Sequence, residues 1–152
     1  MTNRILSIDP SGTGTTGFFF TDGVKQEFHQ FTSPIWKEQL KFLIDYLKAK
    51  QPNQIIYEHT NYISLRGKNM TNLLKFFGAI EGLVYTFSNL VVSSIPVNQV
   101  KETRKKLLNK KLGIIDLLFQ LGKGWFYQGE KINVHQVDAF LVYYLFVKHS
   151  EK

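Results

Sequence analysis

Cysteine is absent from this sequence of 152 residues. Disulfide bridges and thiolate-bound metal sites are therefore excluded, and the composition is compatible with a reducing compartment. Any metal centre or catalytic centre in this chain must be built from oxygen and nitrogen ligands.

Long apolar runs are also missing. The longest, from Ala139 to Val147, is far shorter than the ~20 residues that a membrane helix needs, and the N-terminus begins without an apolar signal region. We therefore expect a soluble, cytoplasmic protein with no membrane partner.

Acidic residues are the minority charge. The chain has 12 Asp and Glu against 19 Lys and Arg, which leaves a formal net charge of +7. A positive field of this kind favours a polyanionic partner such as nucleic acid, although basic proteins with other partners are common.

Hydrophobic residues make up 43% of the composition, enough for the core of a single domain spanning residues 1–152. Apolar periodicity predicts strands at residues 4–8, 17–20, 24–31, 54–58 and 90–95, and helices at residues 36–47, 73–87, 98–108, 112–121 and 134–149. Strands come first and then alternate with helices. This order predicts an α/β fold whose mixed sheet has an antiparallel N-terminal meander and a covering of helices.

The segment from Leu73 to Phe87 has more apolar residues than one narrow helical stripe requires. Contact with one sheet face would not use all of them. A partner subunit would cover the excess.

A glycine-rich loop at residues 12–17, Gly-Thr-Gly-Thr-Thr-Gly, matches the dinucleotide-binding pattern G-x-G-x-x-G. That pattern works only where a helix begins within the loop and presents its N-terminus to pyrophosphate. Here Phe18-Phe19-Phe20 and then Asp22-Gly23 indicate a strand entering a hairpin. We expect a tight turn that needs positive φ at glycine.

Four polar residues stand where they could form one site. Asp9 and Glu58 each end an apolar strand, and ligands of open α/β sheets bind at such ends. His135 and Asp138 are three residues apart and share one face of the last helix. Taken singly, Asp9 fits a turn initiator, and the helical pair fits a solvated first turn.

Carboxylates gathered in one cleft repel each other, which raises their pKa values unless cations neutralise them. The set Asp9, Glu58, His135 and Asp138 therefore predicts a metal centre. Oxygen ligands with one imidazole suit Mg²⁺ or Mn²⁺. Two such ions about 4 Å apart would activate water and stabilise the leaving oxygen in phosphodiester cleavage.

Four short motifs, in this order and spacing, resemble the RuvC-type Holliday-junction resolvases: Ile8-Asp9-Pro10 with Gly17, Tyr57-Glu58, Gln99-Val100-Lys101 with Thr103, and His135-Gln136-Val137-Asp138-Ala139. The resemblance spans nearly the whole chain. It implies an RNase H-like fold with a five-stranded sheet and helices on both faces, and a DNA-cleaving activity.

Residue by residue, the resemblance implies that Asp9, Glu58 and Asp138 bind metal, and that His135 occupies a place where the family has Asp or His. Lys101 would face the substrate, and Lys111 is the weaker candidate for a second basic residue. The chain departs from the family in having Ser11 after Asp-Pro and Asn61 where an aromatic residue is common.

Basic residues cluster near the predicted catalytic edge and could form a phosphate path. A solvated helix face is the alternative. The DNA-contacting candidates are Arg66, Lys68, Lys101, Arg104, Lys105, Lys106 and Lys111.

These expectations combine into a homodimeric, metal-dependent endonuclease that nicks four-way or other branched DNA. Its dimer would use the helix from Leu73 to Phe87, since a four-way junction has approximate two-fold symmetry. The alternatives are a related nuclease acting on structured RNA, a nucleic-acid-binding protein without catalysis, and an actin-like nucleotide binder, for which the chain is too short.

Overall fold

The computed structural model describes residues 3–60, 68–108 and 117–151, which form one large sheet, one small sheet and the helices packed on them. In chain order the elements are β1 (Ile5–Asp9), β2 (Thr15–Thr21), β3 (Gln26–Thr32), α1 (Trp36–Lys50), β4 (Gln54–His59), α2 (Lys68–Gly82), β5 (Val91–Pro96), α3 (Val97–Leu108), β6 (Leu118–Leu121), β7 (Gly124–Tyr127), β8 (Glu130–Ile132) and α4 (Val134–Ser150).

The large sheet has five strands in the order β3-β2-β1-β4-β5. The first three are antiparallel neighbours, which confirms the predicted N-terminal meander. β4 and β5 continue the sheet in parallel with β1, each reached through a helix. The sheet is therefore mixed, as predicted, and its parallel strands end at one common edge.

Helices cover both faces of this sheet because successive strand residues point to opposite sides. In β1, Leu6 and Ile8 are completely buried in the layer that contains α1 and α2. Ser7 points the other way, where its hydroxyl donates to the carbonyl of Ala139 in α4 at 2.7 Å. Burial of one Leu or Ile side chain contributes about 1.5–3 kcal/mol, so each layer adds to stability.

The start of α4 is fixed by a capping box. The Asn133 side chain accepts a hydrogen bond from the Gln136 amide, and the Gln136 side chain accepts one from the Asn133 amide. A cap of this kind is worth about 1 kcal/mol. The first turn of α4 consequently has a defined position against the sheet. Within the described ranges, no helix combines the length and apolarity needed to cross a membrane.

The small sheet β6-β7-β8 was not predicted, and the helix expected at residues 112–121 is wrong over residues 118–121, which form β6. Residues 112–116 of that prediction lie outside the described residues. Leu118, Trp125, Tyr127 and Ile132 are buried in the same core layer as α4. Their burial follows the alternation of a strand. In the sequence, however, such short apolar runs fit the period of a strand and the period of a helix equally well.

Two further expectations differ in detail. The helix predicted from Leu73 to Phe87 is α-helical only to Gly82 and then tightens into a 3-10 turn at Leu83–Tyr85. β5, which looked buried from its sequence, is an edge strand with Val91 56% exposed. Its outer side has no neighbouring strand in the described part of the sheet, so Val91 and Val92 are only partly covered, whereas Ile95 is buried.

Candidate metal centre

Three carboxylates meet at the common edge of the parallel strands. Asp9 ends β1 and Glu58 lies near the end of β4, and the parallel register that aligns Ile8 with Tyr57 makes the two acids neighbours. Asp138 comes from the second turn of α4. One oxygen from each of the three acids lies within 4.8 Å of the others. The sequence-based grouping of these acids therefore matches their positions in the fold.

The glycine loop holds the site together by close packing. The expected positive φ is wrong, because Gly12, Gly14 and Gly17 are not among the residues with positive φ. Instead, a Cβ on Gly17 would lie 2.3 Å from the carbonyl oxygen of His135, and one on Gly12 would lie 2.5 Å from the amide nitrogen of Leu73. Only glycine allows β2 to approach α4 this closely. β2 starts at Thr15, so no helix begins in the loop to bind a dinucleotide.

His135 joins the site through Asp9. Its Nδ1 is 3.2 Å from Oδ2 of Asp9, and this hydrogen bond raises the pKa of the imidazole. The His135 side chain remains 43% exposed, whereas that of Asp9 is 14% exposed. His135 is not one of the three mutually close ligand groups. It stands at their rim, where it is able to orient Asp9 or to ligate an ion itself.

The surroundings of Asp9, Glu58 and Asp138 raise the pKa values of all three acids and so favour their protonated forms. Burial, followed by the charges of Asp9 and Asp138, raises the pKa of Glu58 to about 8. Burial and the charge of Asp9 raise that of Asp138 to about 6, and burial raises that of Asp9 as well. One oxygen of Glu58, Oε2, is buried without a hydrogen-bond partner.

These properties fit a divalent cation. Clustered carboxylates with an unpartnered oxygen supply the hard ligands that Mg²⁺ and Mn²⁺ prefer, and a cation among them would restore their ordinary ionisation. The same acids without a cation would bind protons instead. The donor set thus favours a hard divalent ion over a soft metal.

Arg104, on α3, also lies in the metal centre. The sequence did not predict this position for Arg104. Its Nη1 donates to both oxygens of Asp138, at 2.6 Å and 2.8 Å. The sequence placed Arg104 among the DNA contacts. Its spacing of three residues from Lys101 puts both cations on one face of α3, but this spacing alone does not show that the face meets Asp138.

The other basic candidates are distributed differently. Lys101 is exposed, but its charge lowers the pKa of Glu58, so its ammonium group acts on the acidic edge. Lys105 and Lys106 are exposed on α3, outside the acidic cluster. The predictions for Arg66 and Lys111, and for the side chain of Lys68, lie outside the described residues.

Several solved structures similar to this chain are Holliday-junction resolvases. The RuvC protein of Thermus thermophilus in complex with a Holliday junction substrate aligns with a TM-score of 0.64 at 12% identity, over 97% of this chain and 96% of that one. The fowlpox virus resolvase in complex with Holliday junction DNA aligns at 0.56 and 14% identity, over 98% and 99%. The yeast mitochondrial resolvase Ydc2 aligns at 0.56 and 15% identity, over 93% and 76%.

No protein-family model matches the sequence, and no curated protein matches it either. Identities of 12–15% with these three structures support a statement about fold. The sheet order, the helices on both faces and the alignment over almost the whole chain agree with one another. The protein has the RNase H-like fold of the RuvC-type Holliday-junction resolvases.

Proposed function

We propose that this protein is a divalent-metal-dependent endonuclease that nicks four-way and other branched DNA. The observation that carries the proposal is the convergence of Asp9, Glu58 and Asp138, three largely buried acids with ligand atoms within 4.8 Å. An acidic cluster in this fold, at the edge where the parallel strands end, suits hydrolysis of a phosphodiester.

In this mechanism Asp9, Glu58 and Asp138 would hold Mg²⁺ or Mn²⁺, as the pair of ions that the sequence predicts. His135 would be a further ligand or the group that orients Asp9. When bound, such ions would supply water activation and charge stabilisation for the leaving oxygen. Glu58 must give up the proton that its raised pKa retains near neutral pH. The imidazole of His135 keeps one oxygen of Asp9 in a fixed direction.

Positive charge on α3 supports a DNA substrate. Lys101 acts on the acidic edge, where a phosphate at the reacting position would meet it, and it would stabilise charge that develops during cleavage. Lys105 and Lys106 are exposed and free to contact more distant phosphates. Arg104, Arg66, Lys68 and Lys111 complete the proposed DNA-contacting set.

The proposed selectivity for a branch is drawn from the substrates in similar solved structures. Two of the similar structures contain Holliday junction DNA, one with RuvC and one with the fowlpox virus resolvase. This chain covers nearly the full length of both. We extend that substrate class to this protein because its acidic centre lies in a comparable fold that aligns over nearly the whole of both chains.

The test compares three labelled substrates of matched sequence: a four-way DNA junction, a linear DNA duplex and a four-way RNA junction. Each is incubated with Mg²⁺, with Mn²⁺ or with EDTA. We expect symmetric nicks near the crossover of the DNA junction, only with metal, and none from Asp9→Asn. Faster cleavage of the RNA would reassign the protein to structured RNA, and binding without cleavage in either metal would make it a non-catalytic binder.

A further inference from the structure

Arg104 holds a position that a bound cation would contest. Its guanidinium nitrogen contacts both oxygens of Asp138, one of the three acids that face each other. The pair is largely withdrawn from solvent, with 26% of the Arg104 side chain and 14% of the Asp138 side chain exposed. Hydrogen bonds to an ionised group in such surroundings are stronger than those at an open surface.

The charge of Arg104 reaches all three acids. Its guanidinium contacts both oxygens of Asp138, and an oxygen of Asp138 lies within 4.8 Å of ligand oxygens from Asp9 and Glu58, so the positive charge stands beside the whole cluster. A positive group that favours ionisation of the whole cluster does part of what a metal ion would do. It therefore also repels an arriving divalent ion, since like charges within a few ångströms in a partly buried site interact strongly.

The backbone of α3 at Arg104 is anchored by buried residues, whereas the side chain of Arg104 is partly exposed to solvent. Val100, Thr103 and Leu107 are buried and anchor α3, and the Thr103 hydroxyl donates to the carbonyl of Gln99 at 2.8 Å. Because a quarter of the Arg104 side chain is open to solvent, its guanidinium can leave Asp138 without moving the helix. The ion pair between Arg104 and Asp138 can therefore break without unfolding α3.

We infer that Arg104 is a built-in competitor for the metal centre: it neutralises Asp138 in the metal-free protein and must be displaced before the acids take up a divalent cation. This inference deepens the proposed function, on which it rests, by assigning a residue that sets the metal concentration needed for loading. Without metal, the same guanidinium is engaged by Asp138 and is withdrawn from DNA.

The experiment titrates Mn²⁺ alone, without DNA, into the full-length protein by isothermal titration calorimetry. The variants are Arg104→Gln and, as a matched control, Lys105→Gln, which removes an equal charge from the next residue of the same helix. We expect Arg104→Gln to bind Mn²⁺ about tenfold more tightly than the parent, a change equivalent to about 1.4 kcal/mol. Lys105→Gln should remain within about twofold, because exposed charges are well screened.

A purely structural role for Arg104 predicts the opposite sign, because Asp138 would lose its support and bind metal more weakly. Equal or weaker binding by Arg104→Gln than by Lys105→Gln would therefore overturn the inference. If Arg104→Gln does not fold, Arg104→Lys decides: a single ammonium group holds Asp138 less firmly, so tighter binding than in the parent is expected, and unchanged or weaker binding overturns the inference.

Thermal unfolding gives an independent readout. Saturating Mn²⁺ should raise the melting temperature of Arg104→Gln more than that of the parent. The substitution removes the positive partner of Asp138 from the metal-free protein, whereas in the metal-loaded protein Arg104 is already displaced from Asp138. An equal or smaller rise would contradict competition. Failure of every form, including the parent, to bind Mn²⁺ would remove the proposed function itself, whereas equal affinities of parent and Arg104→Gln would remove only the role of Arg104.

Discussion

Asp9 interacts with each of the three other candidate ligands of the site. It is hydrogen-bonded to His135, and its negative charge raises the pKa of both Glu58 and Asp138. Replacing this carboxylate by an amide nearly preserves its volume but removes its charge. Effects on catalysis and on DNA binding should therefore separate at this position.

Asp9→Asn should abolish junction cleavage while junction affinity stays equal or increases. The amide is a poor ligand for a hard cation, and the loss of one negative charge reduces repulsion between the acidic edge and the DNA backbone. Cleavage assays and gel-shift titrations in Ca²⁺ or EDTA check both parts. Asp45→Asn, an equal charge change on the exposed side of α1, should leave cleavage intact. A DNA-binding defect as large as the cleavage defect would contradict this prediction.

The raised pKa values predict how stability depends on pH in the metal-free protein. Glu58 (pKa about 8) and Asp138 (about 6) keep protons in the folded state that the unfolded chain releases at lower pH. The raised pKa of His135 acts in the same direction. Folding therefore binds protons in this window, and the free energy of unfolding should fall as pH rises from about 5 to about 8.

Denaturant titrations in EDTA across that pH range measure this slope. Glu58→Gln has no proton to release there, so it should flatten the upper part of the curve, between about pH 6 and 8. Saturating Mn²⁺ should reverse the trend in the parent, because metal binding needs the ionised acids. Stability that rises with pH in EDTA would contradict the electrostatic description of the site.

Substitutions of His135 distinguish a metal ligand from a bystander. A carboxylate at this position still ligates a hard cation, so His135→Asp should retain substantial cleavage, whereas His135→Ala should lose most of it. Rates at limiting and saturating Mn²⁺ make the comparison. If His135→Ala cleaves at the parental rate at both concentrations, the metal centre consists of the three acids alone.

At the scale of whole elements, the distance between β2 and α4 decides whether the site forms. Gly17 pairs with Asp9 in the sheet and touches the backbone of His135. A methyl group there must push the first turn of α4 away, since the carbonyl oxygen of His135 is only 2.3 Å from the position of the new carbon. His135 and Asp138 would move together, away from Asp9.

Gly17→Ala should therefore lower stability by about 1–3 kcal/mol, the usual cost of overpacking, and weaken Mn²⁺ binding as well. Gly82→Ala is the matched control. Apart from its chain neighbours and its own helical backbone, no described atom lies within 4 Å of a Cβ at this position. Its φ of −72° suits alanine, so stability should be unchanged or up to about 1 kcal/mol higher. Chemical denaturation and calorimetry measure both quantities. Normal Mn²⁺ affinity in a folded Gly17→Ala would separate the site from this contact.

The strand acids were predictable from sequence because two local rules coincide at each of them. Asp9 and Glu58 follow apolar runs, and strand alternation puts them on the same side as Ser7 and Ile56. Arg104 had no such signal. Whether it points to solvent or to Asp138 depends on how α3 packs against α4, and the spacing of residues within either helix carries no information about that.

The elements that escaped prediction are short. β6, β7 and β8 contain four, four and three residues, too few for an apolar period of two to be distinguished from one of 3.6. Trp125 and Tyr127 become recognisable as strand residues only when α4 supplies the surface that buries them. Tertiary contact decided these segments, whereas long elements such as α1 and α4 were predictable from their own patterns.

For the whole molecule, the net charge of +7 and the acidic centre act at different ranges. The overall positive field attracts DNA from a distance, while the cluster of acids repels phosphate until cations neutralise it. Lys101 and Arg104 contribute to the positive field and also lie on α3 beside the acids. Association should therefore depend on salt through the exposed cations, and cleavage on metal through the acids.

The exposed apolar residues of α2 and of the 3-10 turn after it favour a homodimer. The inner side of this segment is buried through Phe76, Ile80 and Leu83, but Leu74 on α2 and Tyr85 in the turn are 39% and 93% exposed. Leu74→Glu should produce monomers in analytical ultracentrifugation, because a two-fold axis would bring both substituted residues into one apolar interface. Val24→Glu, at an 88% exposed position in the turn between β2 and β3, is the control and should stay dimeric.

On a plasmid with an extruded cruciform, the parent should cut opposing strands and linearise the circle, whereas a Leu74→Glu monomer should leave only nicked circles. A parent that sediments as a monomer, both free and on junction DNA, would contradict the dimer and require two independent molecules for each resolved junction.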